Sequence, residues 1–287
     1  MKACLECVPC FLRQALEAVK MSTDDEMVRE KALREVMAYL LNVEWTNTLP
    51  ELGTNVHRMV KKVTNNVDPY KQLKEKYNKI AQELYPELKL IVENSGDPLL
   101  TAVKLAVAGN AIDFGPKTDI NLECEVQNVL KGELAINDID QLTQAFLKSK
   151  SALYLADNAG ETFFDRILIE ILLKQNVKVT YAVKDAPILN DATFQDAEIA
   201  GISQMVKVMS IGTDCTGILF KECSDNFLSE FERADLIISK GQGNYESLND
   251  VKGKEIFFLL KIKCSIIADD VGVETSSLIL KRTFNTD

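Results

Sequence analysis

Polar residues follow several short apolar runs in the second half of the chain, and their types are those that bind ligands. Three of these runs are 152–156, 178–183 and 236–239. The residues that follow them are Asp157, Asn158, Gly160 and Glu161 after the first, Asn190 and Asp191 after the second, and Lys240, Gly241, Gly243 and Asn244 after the third. If the runs are parallel strands, their carboxyl ends meet at one edge of a sheet, where open α/β sheets bind ligands. The spacing therefore predicts a ligand site at that edge.

Asp157, Asn158 and Asp191 have the chemistry of a metal site. They offer two carboxylates and one amide oxygen, and Gly160 lets the chain turn tightly into the next helix. An all-oxygen set with two charges suits Mg²⁺ or Mn²⁺ and leaves positions for water and substrate oxygens. Asp157, Asn190 or Asp191 taken singly could instead cap a helix, but the set together favours a metal.

The same edge also has features of a phosphate site. A helix that begins near Glu161 presents free N–H groups, and the loop Gly241-Gln-Gly243-Asn244 lets backbone approach an anion. Lys240 or Lys261 could neutralise the anion. A divalent metal, a lysine and a helix amino terminus together indicate phosphate chemistry. Neither a G-x-x-x-x-G-K-[ST] loop nor a G-x-G-x-x-G motif after the first strand occurs, which disfavours P-loop and dinucleotide-binding proteins.

The amino terminus carries a second motif, in which Cys4, Cys7 and Cys10 form two overlapping C-x-x-C units. Thiolates at this spacing can hold zinc or an iron–sulfur cluster or do redox chemistry, and Cys264 is a conceivable fourth ligand. Alternatively, the three cysteines line the buried face of a helix entry, where free Cys packs as a small hydrophobe. Both interpretations stay open. The isolated Cys124, Cys215 and Cys223 are expected to be packing residues.

Composition narrows the possible functions. The chain has 287 residues, a formal net charge of −10 and a single His. The acidic balance argues against nucleic-acid partners, and no apolar run is long enough to cross a membrane. Glu6 lies where a signal peptide would need an apolar stretch, so a cytosolic location is expected. His57 sits in a predicted helix without an acid or Cys beside it, so Ser-His-Asp and Cys-His catalysis are disfavoured.

The periodicity of the chain changes near residue 150. The first half predicts helices, at 8–20, at 27–41 after a capping box at 23–26, at 70–84 and at 99–108. The second half predicts short buried strands alternating with helices, at 152–156, 178–183, 204–211, 236–239, 256–260 and 265–268, with a helix at 161–174. We therefore predict an α/β fold, a three-layer α/β/α arrangement with a mainly parallel sheet in residues 149–287, beside a helical subdomain in residues 1–148. The two parts are expected to share one core.

Four segments together resemble the signatures of the metal-dependent damage-control phosphatase family, formerly a domain of unknown function. They are Asp157-Asn-Ala-Gly-Glu161, Pro187-Ile-Leu-Asn-Asp-Ala-Thr193, Ser239-Lys-Gly-Gln-Gly-Asn-Tyr-Glu246 and Leu259-Leu-Lys-Ile-Lys-Cys264. The opening Glu6-Cys7-Val-Pro-Cys10 resembles the subgroup with amino-terminal cysteines. The motifs follow the family's order over nearly the whole chain.

The resemblance implies a phosphomonoesterase that acts on small phosphorylated metabolites and uses Mn²⁺, Ni²⁺, Co²⁺ or Mg²⁺. It assigns the metal to Asp157, Asn158 and Asp191, and a phosphate contact to Lys261, where other subgroups carry R-T-x-K and this chain has Phe258-Leu-Leu-Lys261. With no His in any motif, Asp157 or Asp191 would serve as base, or the metal hydroxide would act unaided. The alternative function is an iron–sulfur or zinc protein that uses Cys4, Cys7 and Cys10 and whose sheet binds a nucleotide.

Overall fold

The computed structural model describes residues 1–111 and 122–284. The helices are α1 (Cys7–Ser22), α2 (Glu26–Leu41), α3 (Leu49–Thr64), α4 (Lys71–Glu93), α5 (Pro98–Ala111), α6 (Leu122–Lys131), α7 (Ile139–Lys148), α8 (Glu161–Lys174), α9 (Phe194–Ile199), α10 (Asp225–Arg233), α11 (Gln242–Leu248) and α12 (Ser265–Val271). The strands are β1 (Ile136–Asn137), β2 (Ser151–Leu155), β3 (Lys178–Val183), β4 (Lys207–Ser210), β5 (Leu236–Lys240), β6 (Glu255–Lys261) and β7 (Leu278–Phe284). No helix in these two stretches is long and apolar enough to span a bilayer.

The strands form one sheet in the order β1-β7-β6-β5-β2-β3-β4. Neighbouring strands are parallel except for β6 and β7. From β2 the chain proceeds to β3 and β4 on one side, whereas β5 pairs with the other side of β2. The strand order therefore reverses between β2 and β5, which creates a crevice at their carboxyl ends. The predicted site residues that follow these two strands border that crevice.

Both faces of the sheet are covered by helices. Phe257 of β6 belongs to one hydrophobic cluster with Leu105 of α5 and Leu168 of α8. Phe258, the next residue, points to the opposite face and belongs to a second cluster with Phe227 of α10. This alternation explains why the strands are apolar without a polar face. The predicted three-layer α/β/α class with a mainly parallel sheet is confirmed.

The first three helices form a third hydrophobic cluster, and their ends differ in part from prediction. Asp25, rather than Thr23, caps α2, because the Asp25 carboxylate accepts from the Met27 and Val28 N–H groups. A capping box does occur at the start of α3, where Thr48 and Glu51 bond reciprocally.

One assignment near the carboxyl terminus is wrong. The run at 265–268 was predicted as a strand but begins helix α12. An apolar run this short cannot be distinguished from a buried helical turn by periodicity alone. The last strand is instead β7, which pairs antiparallel with β6. The short strand β1 also lies within the half that was predicted to be helical, and it joins the same sheet through β7. The predicted boundary at residue 148 stays a prediction.

His57 lies inside α3 and is buried. Its Nε2 atom is 3.4 Å from Oε1 of Gln14, and its ring meets that of Tyr70 edge-on at 6.3 Å. Burial, followed by the charge of Lys61, lowers the pKa of His57 to about 4. The imidazole is therefore neutral at physiological pH and serves packing.

We expect His57 to make the protein less stable in mild acid. Its folded pKa lies below its unfolded value near 6.5, so the unfolded chain takes up the proton first as the pH falls. Between pH 6.5 and 4 the free energy of unfolding should fall by ~3 kcal/mol through this group alone. Urea unfolding of wild type and His57→Gln at several pH values measures it, because the carboxylates common to both proteins cancel. Parallel pH profiles would contradict the expectation.

Candidate functional site

The loops after β2 and β3 are joined by backbone hydrogen bonds. The Ala192 N–H donates to the Asp157 carbonyl at 2.7 Å, and the Ala159 N–H donates to the Asn190 carbonyl at 2.8 Å. Between these two bonds, Asn158 and Asp191 pair as an isolated antiparallel bridge. The structure thus brings together the three residues predicted to hold a metal.

The Asp157 carboxylate is held by two amides. Oδ2 of Asp157 accepts from Nδ2 of Asn110 at 2.7 Å and from Nδ2 of Asn158 at 2.8 Å. The same two amide groups donate to Oε1 of Glu161, at 3.0 and 2.6 Å. Oδ1 of Asn110 in turn accepts from the Lys261 N–H at 3.1 Å. Asn110 was not among the predicted site residues, and its only signal in the sequence is a polar side chain in the otherwise apolar end of α5.

Three carboxylates crowd this edge of the sheet. Burial, then the charges of Glu161 and Asp191, raise the pKa of Asp157 well above its usual range. Burial also raises the pKa of Asp191 to about 6, although the nearby Lys184 ammonium, 3.6 Å from Oδ2, opposes that rise. Buried oxygens of like charge that oppose one another's ionisation form a donor set that fits a hard divalent cation.

A cation here would rely on mixed oxygen ligands. Within residues 1–111 and 122–284, no three His, Cys, Asp or Glu side chains are grouped so as to hold a metal by themselves. The predicted set has only two carboxylates, and Asn158 supplies an amide as the third protein group. Further ligand positions would fall to water and substrate oxygens, as is usual for Mg²⁺ and related ions.

Lys240 lies beneath the site and is completely buried. Its ammonium bonds to Oε2 of Glu161 at 2.9 Å and to Oδ1 of Asp165 at 2.7 Å. The Tyr154 and Tyr181 hydroxyls donate to Asp165, each at 2.7 Å. Burial by itself lowers the pKa of Lys240, but the charges of Asp165 and Glu161 outweigh it and hold the pKa above the usual range. We name these five residues the buried ionic network.

This placement changes two predicted roles. Lys240 and Glu161 were predicted to contact substrate, but each side chain is 0% exposed and bonded inside the network. Lys240 therefore cannot neutralise a bound phosphate directly. It compensates the charge of Glu161, which anchors the Asn110 and Asn158 amides beside Asp157.

The loop after β5 packs closely against the Asp157 carboxylate. Gly241 has φ +80°, and a Cβ built on it would lie 2.0 Å from Oδ2 of Asp157. Asn244 fixes this approach, since its Nδ2 donates to the Ala156 carbonyl at 3.0 Å and to the Lys240 carbonyl at 2.8 Å. Only glycine allows both the backbone angle and the contact at position 241. Asn244, which was predicted to bind substrate, is buried, and its side-chain amide joins the end of β2 to the end of β5.

Substitution of Gly241 should displace the Asp157 carboxylate without removing a charge. Gly241→Ala is expected to lower, at least tenfold, the phosphatase activity that the family resemblance implies, since small misplacements of catalytic groups are costly. Gly253→Ala is the matched control, because Gly253 has a similar φ of +70° but meets nothing within 4 Å. Both variants carry the backbone strain, and only the first disturbs Asp157. Equal activity of the two purified variants would contradict this role of Gly241.

The remaining predicted residues shape the backbone or border the site. The Gly160 N–H donates to Oδ1 of Asn78 at 2.8 Å, and the Gly243 carbonyl accepts from the Ser247 hydroxyl at 2.8 Å. Asn190 contributes the carbonyl described above. Lys261 places its backbone N–H on Asn110, and its side chain is half-buried. These positions leave the predicted roles of Gly160, Asn190, Gly243 and Lys261 as predictions.

Lys263 is a second cation at this edge that sequence analysis did not select. Its side chain is exposed, and its N–H donates to Oε1 of Gln242 at 3.0 Å. Its charge counts among those that stabilise the ionised form of Asp157. The motif Lys261-Ile-Lys263 contains two lysines, and the sequence alone does not show that the charge of Lys263 acts on Asp157.

The amino-terminal cysteines do not converge as a triad. Sγ of Cys4 and Sγ of Cys7 are 3.3 Å apart, whereas Cys10 accepts from Nε2 of Gln14 at 3.4 Å. Cys264 accepts from Nε2 of Gln242 at 3.6 Å. Cys124 lies outside the residues whose side chains the structure describes. The described cysteines form no cluster of three that could hold zinc or iron.

Residues 3–279 match the family model of the damage-control phosphatase ARMT1-like domain. The chain is a member of the damage-control phosphatase family. The resemblance found in the sequence motifs is thereby confirmed, and the iron–sulfur or zinc alternative is not favoured.

Curated relatives and a solved structure agree with this membership. The chain is 38% identical over 290 residues to a damage-control phosphatase of Pyrococcus horikoshii, covering 98% of each chain. A damage-control phosphatase of Archaeoglobus fulgidus is 35% identical, over 96% of this chain and 97% of its own. An uncharacterized protein of Methanocaldococcus jannaschii is 42% identical, over 96% of this chain and 94% of its own. The crystal structure of a DUF89 family protein from Pyrococcus horikoshii superposes with a TM-score of 0.91 at 35% identity and covers 99% of both chains.

Proposed function

We propose that this damage-control phosphatase is a metal-dependent phosphomonoesterase that hydrolyses small phosphorylated metabolites. The observation that carries the proposal is that Asp157, Asn158 and Asp191 lie together. Their two loops are hydrogen-bonded to each other beside the crevice where the strand order of the sheet reverses. Family membership supports the phosphatase activity, and the crowded carboxylates support the requirement for a cation.

Asp157, Asn158 and Asp191 would hold the metal, with Mn²⁺, Ni²⁺, Co²⁺ and Mg²⁺ as the candidate ions. The bound cation would polarise a phosphate oxygen and lower the pKa of a coordinated water. The two amides on Oδ2 of Asp157 fix the orientation of that carboxylate, and Gly241 leaves no room between its backbone and the same carboxylate. The chain thus orients its ligand groups before substrate arrives, which avoids reorganisation during the reaction.

Lysine side chains would stabilise the charge on the phosphoryl oxygens. We propose Lys263 for this role in addition to Lys261, because the charge of the exposed Lys263 ammonium acts on the Asp157 carboxylate that would hold the metal. Lys184 is buried and bonded to the Gly217 carbonyl at 2.5 Å. It therefore balances Asp191 and leaves substrate contact to the more exposed lysines.

Metal removal tests the proposal. Protein treated with EDTA and then desalted should release little phosphate from p-nitrophenyl phosphate or from a panel of sugar phosphates. Activity should return with at least one of Mn²⁺, Ni²⁺, Co²⁺ or Mg²⁺, and the same ion should raise the unfolding temperature, since it binds the folded state. Undiminished activity in EDTA would refute metal dependence. An iron–sulfur absorption band or stoichiometric zinc in the purified protein would support the alternative function.

A further inference from the structure

The start of helix α1 holds a pair of cysteines that the phosphatase site does not use. Sγ of Cys4 lies 3.3 Å from Sγ of Cys7, and the Cys7 N–H donates to the Cys4 carbonyl at 3.1 Å. The turn before the helix therefore faces the two thiols toward each other. Cys10, one helical turn further, is bonded to Gln14 and takes no part in this contact.

We propose that Cys4 and Cys7 are a redox-active dithiol that closes to an intramolecular disulfide by exchange with a small-molecule disulfide, while Cys10 stays a thiol. The sulfurs need to approach by only about 1.3 Å to reach the bonding distance near 2.0 Å. Two thiols without a third ligand suit this chemistry better than metal binding, which requires four donors in structural zinc sites.

The two thiols differ in solvent exposure, and we expect them to react at different steps. Cys4 is half-buried, so a small disulfide R–S–S–R reaches it first. Cys7 is only 6% exposed. Burial is the main cause that raises the pKa of the Cys7 thiol, to about 12, and the neighbouring Cys4 and Glu246 add to it. Cys7 therefore remains protonated until the second step.

The reaction balances as an exchange. The Cys4 thiolate attacks R–S–S–R, its bond to one sulfur forms, the S–S bond breaks, and R–S⁻ leaves and takes up the proton that Cys4 lost. Cys7 then gives up its proton and attacks Sγ of the mixed disulfide, and the second R–S⁻ leaves as a thiol. The two cysteines are oxidised by two electrons, and the small disulfide is reduced to two thiols.

Acidic side chains lie near both thiols of the pair. The Glu6 carboxylate lies beside the Cys4 thiol, and the charge of Glu246 acts on Cys7. The charge of Glu246 disfavours the Cys7 thiolate, in contrast to the basic surroundings of fast exchange catalysts. The pair is therefore expected to respond over minutes to hours, as a modification site and not as an exchange catalyst.

Peptide mapping tests the proposal on the full-length wild-type protein. After incubation with graded ratios of oxidised to reduced glutathione, the protein is alkylated under denaturing conditions and digested with trypsin. Trypsin cleaves after Lys2 and after Arg13 and thereby releases residues 3–13, which contain all three cysteines. We expect this peptide to lose two hydrogens and to carry a single alkyl group, on Cys10. Added dithiothreitol should restore three alkyl groups.

Variants separate the two thiols. Cys10→Ser should still form the disulfide, and Cys7→Ser should accumulate glutathione on Cys4, whereas Cys4→Ser should take up much less on the buried Cys7. A wild-type peptide that stays fully alkylated in oxidised glutathione, or a disulfide that includes Cys10, would overturn the proposal. Glutathione uptake on Cys7 of Cys4→Ser that equals the uptake on Cys4 of Cys7→Ser would overturn the assignment of the attacking thiol.

Discussion

Asp157→Asn should reduce metal-stimulated phosphate release about a thousandfold, because a catalytic metal contributes several kcal/mol and each 1.4 kcal/mol is a factor of ten. The amides of Asn110 and Asn158 both donate to Oδ2, which requires an acceptor at that atom. In the variant the carbonyl oxygen would occupy the Oδ2 position, and the amide nitrogen would replace Oδ1. A cation would then meet a donor group where it needs an oxygen.

The same variant should fold at least as well as wild type without metal. Burial and two neighbouring carboxylates raise the pKa of Asp157, so its ionised form opposes folding at neutral pH. Asp157→Asn removes that opposition, and it should also remove the stabilisation that Mn²⁺ gives to wild type. Activity lost together with apo stability would point to misfolding instead.

Asp185→Asn is the matched control for this experiment. Asp185 lies in the loop after β3 and is exposed. Its Oδ1 atom accepts a hydrogen bond from the Ser210 hydroxyl at 2.7 Å. The charge change is identical, but the side chain does not touch the carboxylates. Activity and metal-induced stabilisation should stay within about twofold of wild type. A comparable loss in both variants would show that net charge, and not the site, governs the activity.

That Asp157 and Asp191 lie together could be predicted from the sequence, because both residues follow strands directly. The strand ends at Leu155 and Val183 place Asp157 and Asp191 at one sheet edge through topology alone, and chain order carries that information. The fold class was predictable for the same reason, since buried apolar strands alternate with helices.

Other features depend on packing that sequence patterns do not encode. Asn110 reaches Asp157 from a distant helix, and Gly241 matters because of what its missing side chain would strike. Lys240 looked like a phosphate ligand, because a lysine beside a glycine-rich loop often is one. Its burial follows from the partners Glu161 and Asp165, 79 and 75 residues away in the chain.

Lys240→Met should be the most destabilising single change in the ionic network. It would leave Glu161 and Asp165 buried without the ammonium that both contact, and loss of one partner of a buried ion pair costs about 3–5 kcal/mol. Urea unfolding in EDTA measures this cost without a contribution from metal. Lys221→Gln provides the contrast, since Lys221 pairs with Glu51 at the surface. That exposed pair should contribute about 0–1 kcal/mol.

The cost of Lys240→Met should depend on pH in a definite direction. Burial already raises the pKa of Asp165, and Lys240 is the main charge that opposes this rise. Without Lys240 the folded pKa moves further above the unfolded value, so the folded variant binds a proton that the unfolded chain lacks. Its stability is then greatest at low pH and falls as the pH rises through the folded pKa. The difference from wild type should therefore be smaller at pH 5 than at pH 8. A difference that stays constant with pH, or one no larger than that of Lys221→Gln, would mean that the network is not held together by charge.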